Sequence, residues 1–145
     1  MNRTPSQTVG PYYAIGLCRR EEHVLDPHGL DLAGTLLDGR GDAIPDGVVE
    51  VWDAVGKRWG RSGTGADGGF AFRVPPECEV LDAYVFARGL LRHQRTRIYL
   101  RDIEDEVLAA LSSAQRATLQ AVPAGEGLRF DIRMQGEHQT VFFVH

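Results

Sequence analysis

Hydrophobic residues recur at every second position along several short stretches of this chain, and turn-forming residues close each stretch. That spacing matches the pleat of a half-buried β-strand, whose successive side chains point to opposite faces. Leu30 to Leu37 reads as a strand, and Asp38 to Asp42 (DGRGD) supplies turn chemistry after it. Val48 to Asp53 reads as a second, with Val49 and Val51 on one face and Val48, Glu50 and Trp52 on the other. Ala66 to Gly69 (ADGG) is a hairpin signal, because Asp-Gly tolerates the positive φ of a type I′ turn. Phe70, Phe72 and Val74 alternate beyond it until Pro75 and Pro76 end the strand. Leu81 to Arg88 and Leu90 to Leu100 predict two further strands, broken at Gly89. After a loop at Pro123 to Gly127, Phe130, Ile132 and Met134 mark one face of a late strand, and Val141 to Val144 is a final apolar run.

Helical spacing is scarce. Ile103, Val107 and Leu111 fall at i, i+4 and i+8 and predict one short helix, with a second turn around Ala114 to Ala121. Many short strands with little helix predict an all-β, two-sheet antiparallel β-sandwich carrying one or two short helices. A length of 145 residues suits one domain, taken as residues 1–145. No internal repeat, low-complexity tract or linker divides it.

Charge and cysteine usage narrow the partners. A formal net charge of −4 argues against a nucleic-acid partner, since phosphate neutralisation needs a basic surface. No apolar run approaches the ~20 residues that span a bilayer, and the start of the chain lacks a signal-peptide apolar region. Cys18 and Cys78 form neither a CxxC nor an obvious pair and read as free thiols, so the cytoplasm is the expected compartment.

The stretch from Thr4 to Leu17 (TPSQTVGPYYAIGL) behaves differently from the body. It reads as neither a helix nor an alternating strand. Pro5 and Pro11 fix φ and push Thr4 and Gly10 toward extended backbone. Gly10 permits close approach of another backbone or a ligand, and Tyr12 and Tyr13 stand beside it. An apolar, irregular terminal segment frays unless something pins it. Residues 1–20 therefore read as an arm that docks on a partner chain and walls a site, or else as a cover for the domain's own core.

Taken on residue types alone, no complete catalytic constellation is present. The histidines are His23, His28, His93, His138 and His145, and none stands in an HxH or HExxH spacing. There is no GxSxG elbow, P-loop or GxGxxG. Alternation puts His93, Arg95 and Arg97 on one side of a strand, as in any polar sheet face.

Three stretches carry a family resemblance: the N-terminal run, Val85 to Gly89 (VFARG) leading into His93 to Tyr99 (HQRTRIY), and Arg129 to Gly136 (RFDIRMQG) followed by Thr140 to Phe143. In these motifs, which lie in the family's order, the chain resembles the alpha subunits of protocatechuate 3,4-dioxygenases, within the intradiol ring-cleaving dioxygenases. Weaker likeness covers Leu36 to Asp53 and Gly65 to Val74. The resemblance implies a two-sheet β-sandwich of transthyretin-like Greek-key type. It also implies a hetero-oligomer in which a beta-type partner subunit holds catalytic Fe(III) and this chain does not.

The family's iron ligands are two tyrosines and two histidines, the latter an H-x-H on the strand before the FARG position. Anchoring on Phe86 to Gly89 puts Val80 and Asp82 where that doublet would stand, and no tyrosine lies between Tyr13 and Tyr84. Hard ferric iron needs anionic oxygen and imidazole donors. By the same resemblance, Thr8, Gly10, Pro11, Tyr12 and Arg88 bind the substrate, a carboxylated catechol attacked by O₂. Arg88 suits the carboxylate, because guanidinium presents a planar, always-charged fork. The alternatives are that Arg88 pairs with an internal carboxylate such as Asp82 or Glu50, and that Tyr12 merely packs. The chain is shortened relative to the family after Leu17, between Trp52 and Arg61, and between Pro75 and Leu81. A stand-alone β-sandwich binding module descended from these dioxygenases is therefore the other reading. A third, an independent metalloenzyme, would use His93, His138 and His145.

Overall fold

The computed structural model describes residues 2–144. Among the described residues, nine strands form two sheets. One has the order β4-β1-β8-β7, with β9 also on β1, and the other the order β3-β2-β5-β6. The first sheet contains β1 (Leu30–Leu37), β4 (Gly69–Val74), β7 (Val122–Ala124), β8 (Gly127–Arg129) and β9 (Ile132–Arg133). The second contains β2 (Val48–Asp53), β3 (Arg58–Gly63), β5 (Val80–Phe86) and β6 (Gln94–Tyr99). The alternating residues of both sheets meet between them: Leu32, Leu36, Val49, Val51, Phe72 and Leu81 are all at most 1% exposed. This is the β-sandwich that the period-two pattern predicts, and β1 and β2 keep their expected limits.

Long-range pairing differs from the local expectations in several places. The second sheet is antiparallel throughout, but β1 accepts β8 and β9 as parallel neighbours, so the first sheet is mixed. The Asp67-Gly68 turn does not close a hairpin. It carries the chain from β3 in one sheet to β4 in the other, with Gly68 at φ +72° and its N–H donating to the Gly65 carbonyl at 2.8 Å. Asp67 keeps a negative φ, so this is not the type I′ turn that would align two paired strands. Conversely, the segment expected as a loop at Pro123 to Gly127 is the tight β7–β8 hairpin, with Gly125 at φ +59° in its turn. The strand expected from Leu90 begins only at Gln94, and the run Val141 to Val144 makes one bridge, Phe143 to Arg95, and no strand.

The described residues include three short helices, one more than expected. α1 (Tyr13–Leu17) lies within the arm, where Pro11 opens a turn closed by the Tyr13 N–H on the Gly10 carbonyl at 3.2 Å. α2 (Glu106–Ala109) is capped by Asp105, and α3 (Ser113–Ala117) by a Ser112–Gln115 capping box. Leu108 and Leu119 bury against Tyr99 and cover the β6 edge of the second sheet. Among the described residues, no helix is long and apolar enough to cross a membrane.

Candidate functional site

The turn that joins β5 to β6 carries the Phe86 to Gly89 motif, and the arm lies against it. Phe86 ends β5 on the outer face of the second sheet, where its ring meets Tyr13 at 5.7 Å and His93 at 5.2 Å. Tyr13 therefore packs on the body, whereas Tyr12 is 78% exposed. Between arm and turn lies a cavity of about 400 Å³ lined by Gln7, Val9, Tyr13, Phe86, Leu90 and His93. The arm thus has two faces. Gln7, Val9 and Tyr13 close the cavity, and Gly10, Pro11 and Tyr12 are exposed. A Cβ placed on Gly10 would meet nothing within 4 Å, so among the described residues none uses the close approach that glycine permits. Thr8 is the member of the expected set that contacts the motif: its Oγ1 accepts the Gly89 N–H at 2.6 Å.

Arg88 projects from the same turn with its side chain 54% exposed. The two carboxylates expected as its alternative internal partners are both engaged elsewhere. Glu50 accepts Nε and Nη2 of Arg61 at 2.8 and 2.6 Å, and Asp82 accepts Arg95 and Arg97 at 3.1 and 3.2 Å. Arg88 instead stands 3.8 Å from Asp46, a residue in the left-handed region at φ +58° that sequence reasoning did not single out. Both partners are more than a third exposed, and such a pair contributes at most about 1 kcal/mol. The guanidinium is left accessible to a stronger anion.

Arg61 is a second residue that the pattern did not reveal. It sits directly across from Glu50 in the β2–β3 ladder, donates to the Leu17 carbonyl at 3.0 Å, and lies 4.7 Å from the Trp59 ring centroid. It ties the far end of the arm to the sheet. Burial acts to lower its pKa, but the hydrogen bond and charge of Glu50, together with the charge of Glu22, outweigh that and hold it above the usual arginine value.

Farther along the same outer face, Val80 and Asp82 border a cavity of about 540 Å³ shared with Trp52, Arg97 and Asp105. Asp105 and Arg97 in its lining are used internally. Asp105 accepts the Tyr99 hydroxyl at 2.8 Å and the Leu108 N–H at 2.8 Å, and Arg97 lies 3.5 Å away. Burial acts to raise the Asp105 pKa, yet those contacts hold it below the ordinary carboxylate value. Buried Cys78 has its thiol pushed up to about 12, chiefly by burial and then by nearby Asp53. Among the described residues, no group of three or more His, Cys, Asp or Glu is arranged to hold a metal ion. His93 stacks on Tyr84 and Phe86, His138 is exposed, and His145 lies outside the described residues.

No family model matches the chain. Two relatives do. The protocatechuate 3,4-dioxygenase alpha chain of Burkholderia cepacia is 32% identical over 198 aligned residues, covering 99% of this chain and 98% of that one. The corresponding alpha chain of Pseudomonas putida is also 32% identical, with 97% and 95% covered. The alignment is longer than the 145 residues present here, so the relatives carry additional segments. Among solved structures, the dioxygenase domain of a carbohydrate-binding fusion from Streptomyces sp. SirexAA-E superposes with a TM-score of 0.58 at 22% identity, covering 94% of this chain and all of that one. A hydroxyquinol 1,2-dioxygenase from Pseudomonas putida DLL-E4 gives 0.56 at 18% identity, covering 94% and 68%. These structures show the shared sandwich fold, and the two alpha chains show the lineage. The chain is an intradiol dioxygenase subunit that belongs to the family of protocatechuate 3,4-dioxygenase alpha chains.

Proposed function

We propose that this chain is the subunit that positions substrate, and not iron, in a two-chain protocatechuate 3,4-dioxygenase. The family is iron-dependent, but the residues at the histidine-doublet position do not fit ferric iron. Val80 offers no donor, and the Asp82 carboxylate is already neutralised by two guanidinium groups that would repel a trivalent cation. Fe(III) then resides on a beta-type partner, and residues 1–20 dock on that partner as an arm. The assembly inserts both atoms of O₂ between the hydroxyl-bearing carbons of protocatechuate, giving 3-carboxy-cis,cis-muconate in the β-ketoadipate route of cytoplasmic aromatic catabolism.

The observation that carries this reading is the state of Arg88: exposed, on the motif turn beside the arm, and, among the described residues, held by the 3.8 Å contact to Asp46 alone. A substrate carboxylate offers a charge-assisted, two-pronged pairing worth roughly 1.5–3 kcal/mol, which exceeds the Asp46 contact. Gly10, Pro11 and Tyr12 present the exposed face of the arm beside it, and Tyr12 brings a phenol to the same carboxylate. The carboxylate contact persists from ground state to transition state, so its loss acts mainly on KM. The test is Arg88→Ala in the assembled enzyme. The ratio of kcat/KM for protocatechuate over catechol falls roughly 10- to 100-fold. Equal losses for both substrates would show that Arg88 serves the fold instead.

A further inference from the structure

Thr8 was grouped with the substrate-binding residues, but its hydroxyl is already occupied within the chain. Oγ1 accepts the Gly89 N–H at 2.6 Å and directs its own proton to the Val9 carbonyl at 3.4 Å. The bond spans 81 positions of sequence. It ties the arm ahead of α1 directly to the turn between β5 and β6. The next tether is nine residues on, where Arg61 holds the Leu17 carbonyl. Gly89 follows Arg88 directly, so the bond fixes the backbone that aims the guanidinium.

We propose that Thr8 is a positioning residue: it latches the arm to the Arg88 turn, so that Gly10, Pro11, Tyr12 and Arg88 meet the substrate as one rigid unit. This deepens the carboxylate-binding reading of Arg88 and rests on it. Without the latch the arm ahead of α1 rests on the Tyr13–Phe86 ring contact and the Arg61 tether at Leu17, and the turn samples more orientations. A neutral hydrogen bond of this kind shifts such an equilibrium roughly three- to tenfold.

The experiment compares Thr8→Val, Thr8→Ser and Arg88→Ala in the enzyme assembled with its beta-type partner, using protocatechuate and catechol. Thr8→Val keeps the side-chain shape but loses the acceptor, and Thr8→Ser keeps the acceptor. Expected is a three- to tenfold rise in KM for protocatechuate with Thr8→Val and under twofold change for catechol, with Thr8→Ser near wild type. In the isolated chain, the Gly89 amide exchanges faster in Thr8→Val by a similar factor, while the urea midpoint stays put. If Thr8→Val leaves protocatechuate KM unchanged while Arg88→Ala raises it, the latch is wrong and the Arg88 reading survives. The latch also fails if serine does not rescue, or if both substrates suffer equally. If Arg88→Ala itself does not separate the two substrates, the carboxylate reading falls and the latch with it.

Discussion

Replacing Arg61 with methionine removes a guanidinium that three oxygen-bearing groups share. Nε and Nη2 donate to one Glu50 oxygen, Nη1 donates to the Leu17 carbonyl, and Glu22 lies 3.5 Å away. The side chains of Arg61 and Glu50 are 18% and 19% exposed, so the pair is neither solvated nor fully buried. Breaking a fully buried pair costs 3–5 kcal/mol, and the remaining exposure lets water reach Glu50, which brings the expected loss to about 2–3 kcal/mol. The Trp59 contact adds about 0.5 kcal/mol to that loss. For a chain of this length the melting temperature should fall by roughly 6–12 °C. Most of the cost is the stranded carboxylate, so adding Glu50→Gln should recover about 1–2 kcal/mol in a double-mutant cycle. Urea unfolding of the wild type, both singles and the double measures this directly, with the m-value checked for constancy. The arm should respond too: with the Leu17 carbonyl released, Cys18 alkylates faster. A single substitution costing under about 0.5 kcal/mol, or a double costing the sum of the singles, would refute the network.

Asp105→Ala should cost about 0.5–2 kcal/mol, because it removes the α2 cap along with the Tyr99 and Arg97 contacts. The folded Asp105 pKa is depressed, so its stabilisation is complete above the unfolded value near 4 and is lost as pH falls through the folded value. Wild type and Asp105→Asn should therefore begin to converge in stability as pH falls past about 4 and meet below the folded value, which acid-dependent urea midpoints would show. With its thiol near 12, native Cys78 should resist alkylation at pH 8 until the chain is unfolded. Modification at Cys78 as fast as in urea would overturn that.

What could be read from sequence follows the range of the physics involved. Burial alternates residue by residue, so β1, β2 and β4 showed their limits in Leu30–Leu37, Val48–Asp53 and the Phe70, Phe72, Val74 series. Partner choice does not alternate. The Asp67-Gly68 turn has the same local chemistry whether the next strand pairs back or crosses to the other sheet, and here it crosses. Likewise Gly127 to Arg129 carries too little apolar pattern to announce a strand, because β8 is defined by its parallel fit along Leu32 and Ala33. Arg88 was visible only through the Phe86 to Gly89 motif. That it stands apart from Glu50 and Asp82 required knowing that Arg61, Arg95 and Arg97 claim those carboxylates. Asp46 and the Thr8 bond join residues 42 and 81 positions apart from Arg88 and Gly89, and no local signal reports such contacts.

Iron content and turnover of the purified chain, alone and after co-expression with a beta-type chain, bear most directly on the proposed division of labour. Alone, the chain should be colourless, hold no stoichiometric iron and leave protocatechuate intact. The co-purified pair should carry iron, and crosslinking or a solved assembly should place Arg88 against the bound carboxylate. Stoichiometric iron in the isolated chain, or ring cleavage by it without a partner, would contradict the account.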